Sequence, residues 1–159
     1  MASYTTHSLA AAATGIVGSI WTSGAIASLS IIGVPAARDI PSSTAVIWRG
    51  LFTHGMNAMP KIAVTTALAY SYAAYSTRGS GASKTYLAAA GLVVSIIPFT
   101  ILFMTPTNGA LLAAAEGTSS LGVSEVSGLV RRWGFLNLAR SVLPLTGGLL
   151  AFFTFCRGG

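Results

Sequence analysis

Charged side chains are scarce in this sequence. They make up 8% of its 159 residues, and only three of them, Asp39, Glu116 and Glu125, are acidic. Ordinary soluble domains carry roughly a quarter charged residues, so a water-soluble fold of this length could not cover its surface. Hydrophobic residues make up 53%, and the mean hydropathy is +0.72. The composition predicts a membrane protein with a single domain, residues 1–159.

Residues that build disulfides and metal sites are also scarce, and nucleotide-binding motifs are missing. The single cysteine, Cys156, excludes an internal disulfide. The two histidines, His7 and His54, are too few and too badly spaced for a zinc or non-haem iron site. No glycine-rich dinucleotide motif and no phosphate-binding loop is present. We therefore predict no metal ion and no organic cofactor.

Four apolar segments dominate what the sequence does contain. They cover about residues 8–34, 44–76, 85–105 and 130–155, with turn-rich connectors between them, the last from Thr105 to Glu125. Each is long enough for the roughly 20 residues that cross a bilayer as a helix. None alternates like a barrel strand, so helices are expected. The sequence predicts an all-α fold: an integral membrane antiparallel four-helix bundle, multi-pass, with homo-oligomerisation left open.

Basic residues give the chain a net charge of +6. In membrane proteins such residues mostly mark helix ends and headgroup contacts. A nucleic-acid site would need a clustered basic patch, and none is visible, so no nucleic acid partner is expected. Antiparallel threading brings nearly all unusual polar residues to one end of the bundle. These are Arg49, His54, Asn57, Lys61, Asn108, Arg131, Arg132, Asn137 and Arg140.

Two helices carry these polar residues on definite arcs, calculated at about 100° per residue. An arc of roughly 140° on the second helix holds Arg49, His54, Asn57 and Lys61. A narrower arc of roughly 60° on the fourth helix holds Trp133, Asn137 and Arg140. Three acids cannot neutralise this many cations, so the surplus must face water, headgroups or an anionic ligand. A simpler interpretation stays open, in which the cations reach the interface and only orient the bundle; Asn108 would then cap a helix.

Three stretches of the sequence carry a resemblance to a known family. They are Trp48–Gly55 followed by Met59-Pro60, the turn Thr105-Pro106-Thr107-Asn108, and the helix start Leu129–Arg140, which contains Arg-Trp-x-x-x-Asn-x-x-Arg. Their order and spacing resemble the small four-helix membrane proteins of the fungal anthrone oxygenase family, from about Ser23 to Leu150. The resemblance implies oxidation of an aromatic polyketide anthrone to an anthraquinone by dioxygen, without metal or flavin.

The resemblance also suggests roles for individual residues. His54 is the hypothetical base that deprotonates the anthrone, and Arg140 and Asn137 would stabilise the resulting oxyanion. The expected substrate-binding residues are Arg49, Asn57, Lys61, Asn108, Trp133 and Phe135. The rings would stack on Trp133 and Phe135.

A second function class stays open at this point. The chain could be a non-catalytic membrane subunit or a protein that binds anionic lipid, and a small transporter is a third possibility. The four segments show no inverted repeats or broken helices, which disfavours a transporter. The expected location is an intracellular membrane such as the endoplasmic reticulum, with both termini in the cytosol.

Overall fold

A computed structural model describes residues 6–158, and these are helical throughout apart from short connections, with no strand among them. Four long helices follow one another along the chain. They are α1 (Thr6–Arg38), α2 (Thr44–Ser76), α3 (Gly81–Ala115) and α4 (Val123–Gly158). A short 3-10 turn, Pro41–Ser43, leads into α2. The predicted all-α four-helix architecture is confirmed.

Three of the four helices, α1, α3 and α4, are long and apolar enough to cross a membrane. The fourth, α2, has 33 residues but is not among them. Its polar side chains include Lys61, and Pro60 lies inside the helix. The chain is therefore a helical membrane protein in which three of the four described helices have the length and composition of membrane spans.

The helices pack in chain order around a ring, so that α1 and α3 each lie between α2 and α4. Glycines permit the close approach, as expected for helices that associate in lipid. A Cβ atom at Gly15 of α1 would lie 2.5 Å from the Tyr70 ring of α2, and one at Gly18 would lie 2.5 Å from Oγ1 of Thr66. A Cβ at Gly147 of α4 would lie 3.0 Å from the backbone oxygen of Ala89.

Two helices contain one wider π-helical turn each, Leu29–Gly33 in α1 and Thr100–Met104 in α3. A proline follows two residues after each turn, Pro35 in α1 and Pro106 in α3. Because proline has no N–H to donate and its ring collides with the preceding turn, the regular α-helical hydrogen bonding cannot run through unchanged. The widened turn lets both helices continue past the proline, and such turns frequently occur at functional sites.

The connection between α3 and α4 is shorter than the sequence suggests. Only residues 116–122 lie between them, whereas a connector from Thr105 to Glu125 was predicted. The motif Thr105–Asn108 looks like a turn because of its proline, yet Pro106 sits in the first turn after the π segment, where a missing N–H is tolerated. Asn108 is therefore a residue inside α3 and does not cap a helix end.

Candidate functional site: a cavity between α2 and α3

The bundle contains a cavity between α2 and α3, closed at the back by α4 and by Leu29 of α1. It has about 640 Å³ of space between atoms, counting the part that opens to the outside. Most of its wall is apolar, formed by residues such as Phe52, Met56, Met59, Ile97, Ile101 and Met104. Such a wall suits a flat, hydrophobic molecule.

Arg140 is the charged group of the cavity wall. Its side chain is buried, and its two terminal nitrogens are both engaged with neutral groups: Nη2 donates to Oδ1 of Asn137 at 2.6 Å, and Nη1 donates to Oγ1 of Thr100. The three acidic side chains, Asp39, Glu116 and Glu125, are all exposed and do not line the cavity. A buried cation without an anionic partner is costly, so this position favours an anionic or strongly polarised ligand.

Asn137 fixes that guanidinium from behind and does not itself line the cavity. It is fully buried, and its Nδ2 donates to the backbone oxygen of Ile26 at 2.8 Å and to Oγ of Ser30 at 2.9 Å. Ser30 belongs to the π turn of α1, and Thr100 begins the π turn of α3. The π turn of α3 therefore contacts Arg140 directly, and the π turn of α1 contacts it through Asn137.

Three further polar residues line the cavity, Thr100 and Asn108 of α3 and Trp133 of α4. The side chains of Asn108 and Trp133 are buried. The Trp133 indole packs edge-on against Trp48, with ring centroids 5.9 Å apart. Trp133 Nε1, Asn108 Oδ1 and Arg140 Nε have no hydrogen-bond partner among the residues that the structure describes. Three unsatisfied polar atoms therefore belong to side chains of one apolar cavity.

The other predicted site residues do not line this cavity. Three on α2 (His54, Asn57 and Lys61) are exposed, Arg49 is half-buried, and Phe135 of α4 is 73% exposed. Helix geometry explains the result: at 100° per residue the cavity-lining residues of α2, such as Phe52, Gly55 and Met59, share one half of the helix. His54, Asn57 and Lys61 fall on the opposite half. The roles assigned to these residues stay predictions.

Sequence reasoning missed Thr100 and Ser30, the two hydroxyl residues of the Arg140 network. Each lies inside a long apolar segment, where a single hydroxyl usually bonds back to its own helix. Thr100 does so as well, since its Oγ1 donates to the backbone oxygen of Ile96 at 2.7 Å. The sequence feature that indicates these two positions is the proline that follows each π turn.

Metal-binding side chains are not gathered anywhere in the described part of the chain. No group of three or more His, Cys, Asp or Glu residues that could hold a metal ion occurs within residues 6–158. This observation concerns protein ligands alone, and the predicted absence of a metal or organic cofactor stays a prediction.

Comparison with known proteins places the chain beside one group. The profile of the anthrone oxygenase family matches residues 48–150. The anthrone oxygenase AgnL2 of Paecilomyces divaricatus is 37% identical over 150 residues, which cover 88% of this chain and 92% of that protein. The monooxygenase hypC of Dothistroma septosporum is 36% identical over 142 residues (85% and 77%), and the anthrone oxygenase tpcL of Aspergillus fumigatus is 35% identical over 142 residues (87% and 88%). No solved structure gives a significant match.

Proposed function

Because the chain belongs to the anthrone oxygenase family, we propose that it oxidises an aromatic polyketide anthrone to the anthraquinone with dioxygen, in the cavity between α2 and α3. The observation that carries this proposal is the buried guanidinium of Arg140, which faces an apolar cavity and has only neutral partners. The reaction needs one fixed positive charge beside a hydrophobic slot, and the cavity has both.

The proposed chemistry requires no metal and no flavin. Loss of a proton from the anthrone methylene gives an anion whose charge lies largely on the carbonyl oxygen. This anion passes one electron to dioxygen, and recombination of the radical with superoxide forms a carbon–oxygen bond. After protonation the product is a hydroperoxide, which loses water to leave the second carbonyl. One oxygen atom enters the product, the other leaves as water, and the two methylene hydrogens balance that water.

Arg140 is the residue we assign to the developing negative charge. Preorganised donors in a site that excludes water stabilise an oxyanion far more than water does. The guanidinium already has two hydrogen bonds that fix its plane, so little reorganisation is needed when the anion forms. Phe52, Met59 and Met104 supply the apolar contact that holds the rings.

The route of the methylene proton is the open part of the mechanism. Neither a carboxylate nor an imidazole lines the cavity among the described residues. We propose that stabilisation of the anion by Arg140 makes the C–H acidic enough for a single water molecule bound beside the substrate to take the proton. The alternative base is His54, which precedes the wall residue Gly55 but is exposed. Activity of a His54→Ala variant decides between the two routes.

The substrate reaches the cavity, in this proposal, from the hydrocarbon of the bilayer. Only two residues of the cavity wall are exposed, Met56 at 45% and Ile101 at 63%, and both are apolar. Ile101 also belongs to α3, which is long and apolar enough to cross a membrane. An anthrone and dioxygen both dissolve well in hydrocarbon, so lateral entry suits both. We place the enzyme in an intracellular membrane such as the endoplasmic reticulum.

The test is oxygen uptake by the purified protein in liposomes, with anthraquinone formation followed by absorbance. We expect turnover above spontaneous oxidation in air, none under nitrogen, and no loss after treatment with a chelator. Arg140→Met should lower kcat/KM about 100-fold or more, in line with removal of an oxyanion donor. Arg132→Met is the matched control, because Arg132 is an exposed arginine of the same helix. No turnover by the wild-type protein would contradict the proposal and favour the lipid-binding alternative.

A further inference from the structure

The outward face of α2 changes from polar to apolar along its length. Four exposed side chains share an arc of roughly 100° in the first part of this face; they are Thr53, His54, Asn57 and Lys61. Val64, Leu68 and Tyr72 continue the same face toward the other end of the helix, and they are exposed as well. The four residues are called the polar face of α2, which extends about 12 Å along the helix axis.

The polar face of α2 lies at a depth where α1 exposes bulky apolar side chains. A Cβ atom at Gly55 of α2 would lie 3.4 Å from Leu29 of α1, so these two residues are neighbours. Because the two helices are antiparallel, the residues that follow Leu29 lie beside those that precede Gly55. Ile31 and Ile32, both more than half exposed, therefore lie near the level of His54.

The helix on the other side of α2 shows the same contrast. Met56 of α2 and Ile101 of α3 line one cavity, so they lie at a similar depth. Ile101, Leu102 and Phe103 are each more than half exposed. Helices α1 and α3 are both long and apolar enough to cross a membrane, whereas α2 is not in that group. The polar face of α2 is therefore a polar surface between two apolar surfaces that suit hydrocarbon.

The polar face of α2 carries positive charge without an acidic residue to balance it. Lys61 lies at its inner end, and the half-buried Arg49 lies one turn before Thr53. Helix α2 contains neither Asp nor Glu. A lysine that faces hydrocarbon is costly, and such residues nearly always have a polar partner. This surface therefore requires an anionic partner that α2 itself does not supply.

A second copy of the chain fits this requirement poorly. Two copies that meet at this face through a two-fold axis present the same residues to each other, so they add further cations and no acid. An amphiphile with an anionic head fits better. Its head matches the polar face, and its apolar tail matches the surface of Val64 and Leu68, which continues in the same direction along α2.

We propose that the polar face of α2 binds the headgroup of an anionic phospholipid, with the phosphate against Lys61 and the acyl chains along Val64 and Leu68. Lys61 and His54 donate to phosphate oxygens, and hydrogen bonds to such charged groups are strong. Asn57 donates to an ester oxygen of the glycerol. The bilayer is then thinner along α2 than along α1 and α3. This lipid site is separate from the cavity and does not depend on the proposed reaction.

The experiment is native mass spectrometry of the purified protein from detergent micelles that contain equal amounts of phosphatidylglycerol and phosphatidylcholine. A basic residue near an anionic lipid surface contributes enough to change binding about 5-fold. We therefore expect the wild type to retain phosphatidylglycerol at least about 5-fold over phosphatidylcholine. Lys61→Gln should reduce this ratio to within about 2-fold, whereas Lys61→Arg keeps the charge and should retain it.

The matched control is Lys84→Gln, which removes an equal charge from an exposed lysine at the other end of the bundle. It should leave the ratio unchanged, and unfolding temperatures in detergent show whether each variant is folded. An excess of soluble glycerol phosphate should not displace the lipid, because it has no acyl chains. Equal retention of both lipids by the wild type, or equal losses in Lys61→Gln and Lys84→Gln, overturns the inference.

A second measurement reports on the polar face without changing its lysine. Spin labels are placed at Asn57→Cys and, at a similar depth, at Ile31→Cys, each in a Cys156→Ser background because Cys156 is exposed. In liposomes with phosphatidylglycerol, a water-soluble nickel reagent should relax the label at position 57, and dissolved oxygen should relax the label at position 31. Strong coupling between labels at position 57 of two chains would identify a second copy as the occupant and overturn the inference. Access of oxygen alone at position 57 would also overturn it.

Discussion

Asn137 and Arg140 lie one helical turn apart on α4, and Nη2 of Arg140 donates to Oδ1 of Asn137 at 2.6 Å. The same amide donates from Nδ2 to Ile26 and Ser30 of α1. Exchange of the amide oxygen and nitrogen would turn N–H groups toward the guanidinium, so the α1 contacts determine which atom faces Arg140. Helix α1 thereby positions the Arg140 cation, although Leu29 is the one α1 residue in the cavity wall.

Removal of the Asn137 amide should impair both folding and turnover. Asn137→Leu leaves the Ile26 carbonyl and one Arg140 nitrogen without their partner, and each unsatisfied buried group costs about 1–3 kcal/mol. We expect a lower unfolding temperature in detergent and a kcat reduced at least about 10-fold. Ser141→Ala is the control, since the Ser141 hydroxyl donates only to the Leu138 oxygen of its own helix. An unchanged kcat in Asn137→Leu would show that Asn137 does not position Arg140.

Thr100 should matter for catalysis although it looks like an ordinary residue of an apolar helix. Thr100→Val keeps the shape but removes the acceptor for Arg140 Nη1. A hydrogen bond to a charged group contributes about 1.5–3 kcal/mol, which corresponds to a loss of about 10- to 100-fold in kcat/KM. Thr105→Val is matched, because Thr105 makes the same kind of bond to its own helix at 2.7 Å but is exposed. Similar effects of the two substitutions would contradict the assignment.

His54→Ala tests the base predicted from the sequence. The side chain is exposed and does not line the cavity, so we expect kcat and KM to stay within about 3-fold of the wild type if water takes the proton. The measurement is anthraquinone formation in liposomes beside the Arg140→Met variant. A loss comparable with that of Arg140→Met would restore His54 as the base and place it in the reaction.

Much of the fold follows from the sequence, because a long apolar segment in a bilayer must satisfy its own backbone hydrogen bonds and therefore forms a helix. The family predicted from Trp48–Gly55 and Leu129–Arg140 is confirmed by the comparisons. The predicted cluster on α4 is also found in part, since Trp133 and Arg140 line one cavity and Asn137 supports it. On that helix these three side chains are buried, and Asn137 and Arg140 hydrogen-bond to residues of α1 and α3.

The polar arc of α2 faces away from the cavity, and the sequence of α2 does not reveal this orientation. Periodicity gives the angle between His54 and Lys61 on their own helix, but not the rotation of that helix toward its neighbours. Long or polar side chains near an interface can reach headgroups and water, so their exposure carries little cost. The apolar face with Gly55 and Met59 lines the cavity instead.

Two glycines, Gly147 of α4 and Gly91 of α3, should respond differently to substitution by alanine. A Cβ at Gly147 would lie 3.0 Å from the Ala89 backbone oxygen, which cannot move without shifting α3. Gly147→Ala should therefore lower the free energy of unfolding by about 1–3 kcal/mol. Gly91 has open space around its Cβ position, so Gly91→Ala should be neutral or stabilising by up to about 1 kcal/mol. Denaturant titration in micelles measures both, and equal destabilisation would mean that the packing of α4 against α3 is not this tight.

Lateral entry can be tested at the mouth of the cavity with two adjacent residues of α3. Ile101 lines the mouth, whereas Leu102 is even more exposed at 71% but does not line it. Each is changed to cysteine in a Cys156→Ser background, because the native Cys156 is exposed and would also react.

A bulky apolar thiol reagent delivered from the bilayer should block turnover of the Ile101→Cys protein about 10-fold or more. The modified Leu102→Cys protein should stay active, because its adduct lies in lipid away from the opening. Bound anthraquinone should slow modification at position 101 and leave position 102 unaffected. Full activity of the modified Ile101→Cys protein would mean that the substrate does not pass between α2 and α3 at this point, and entry from the polar end of the bundle would then be required.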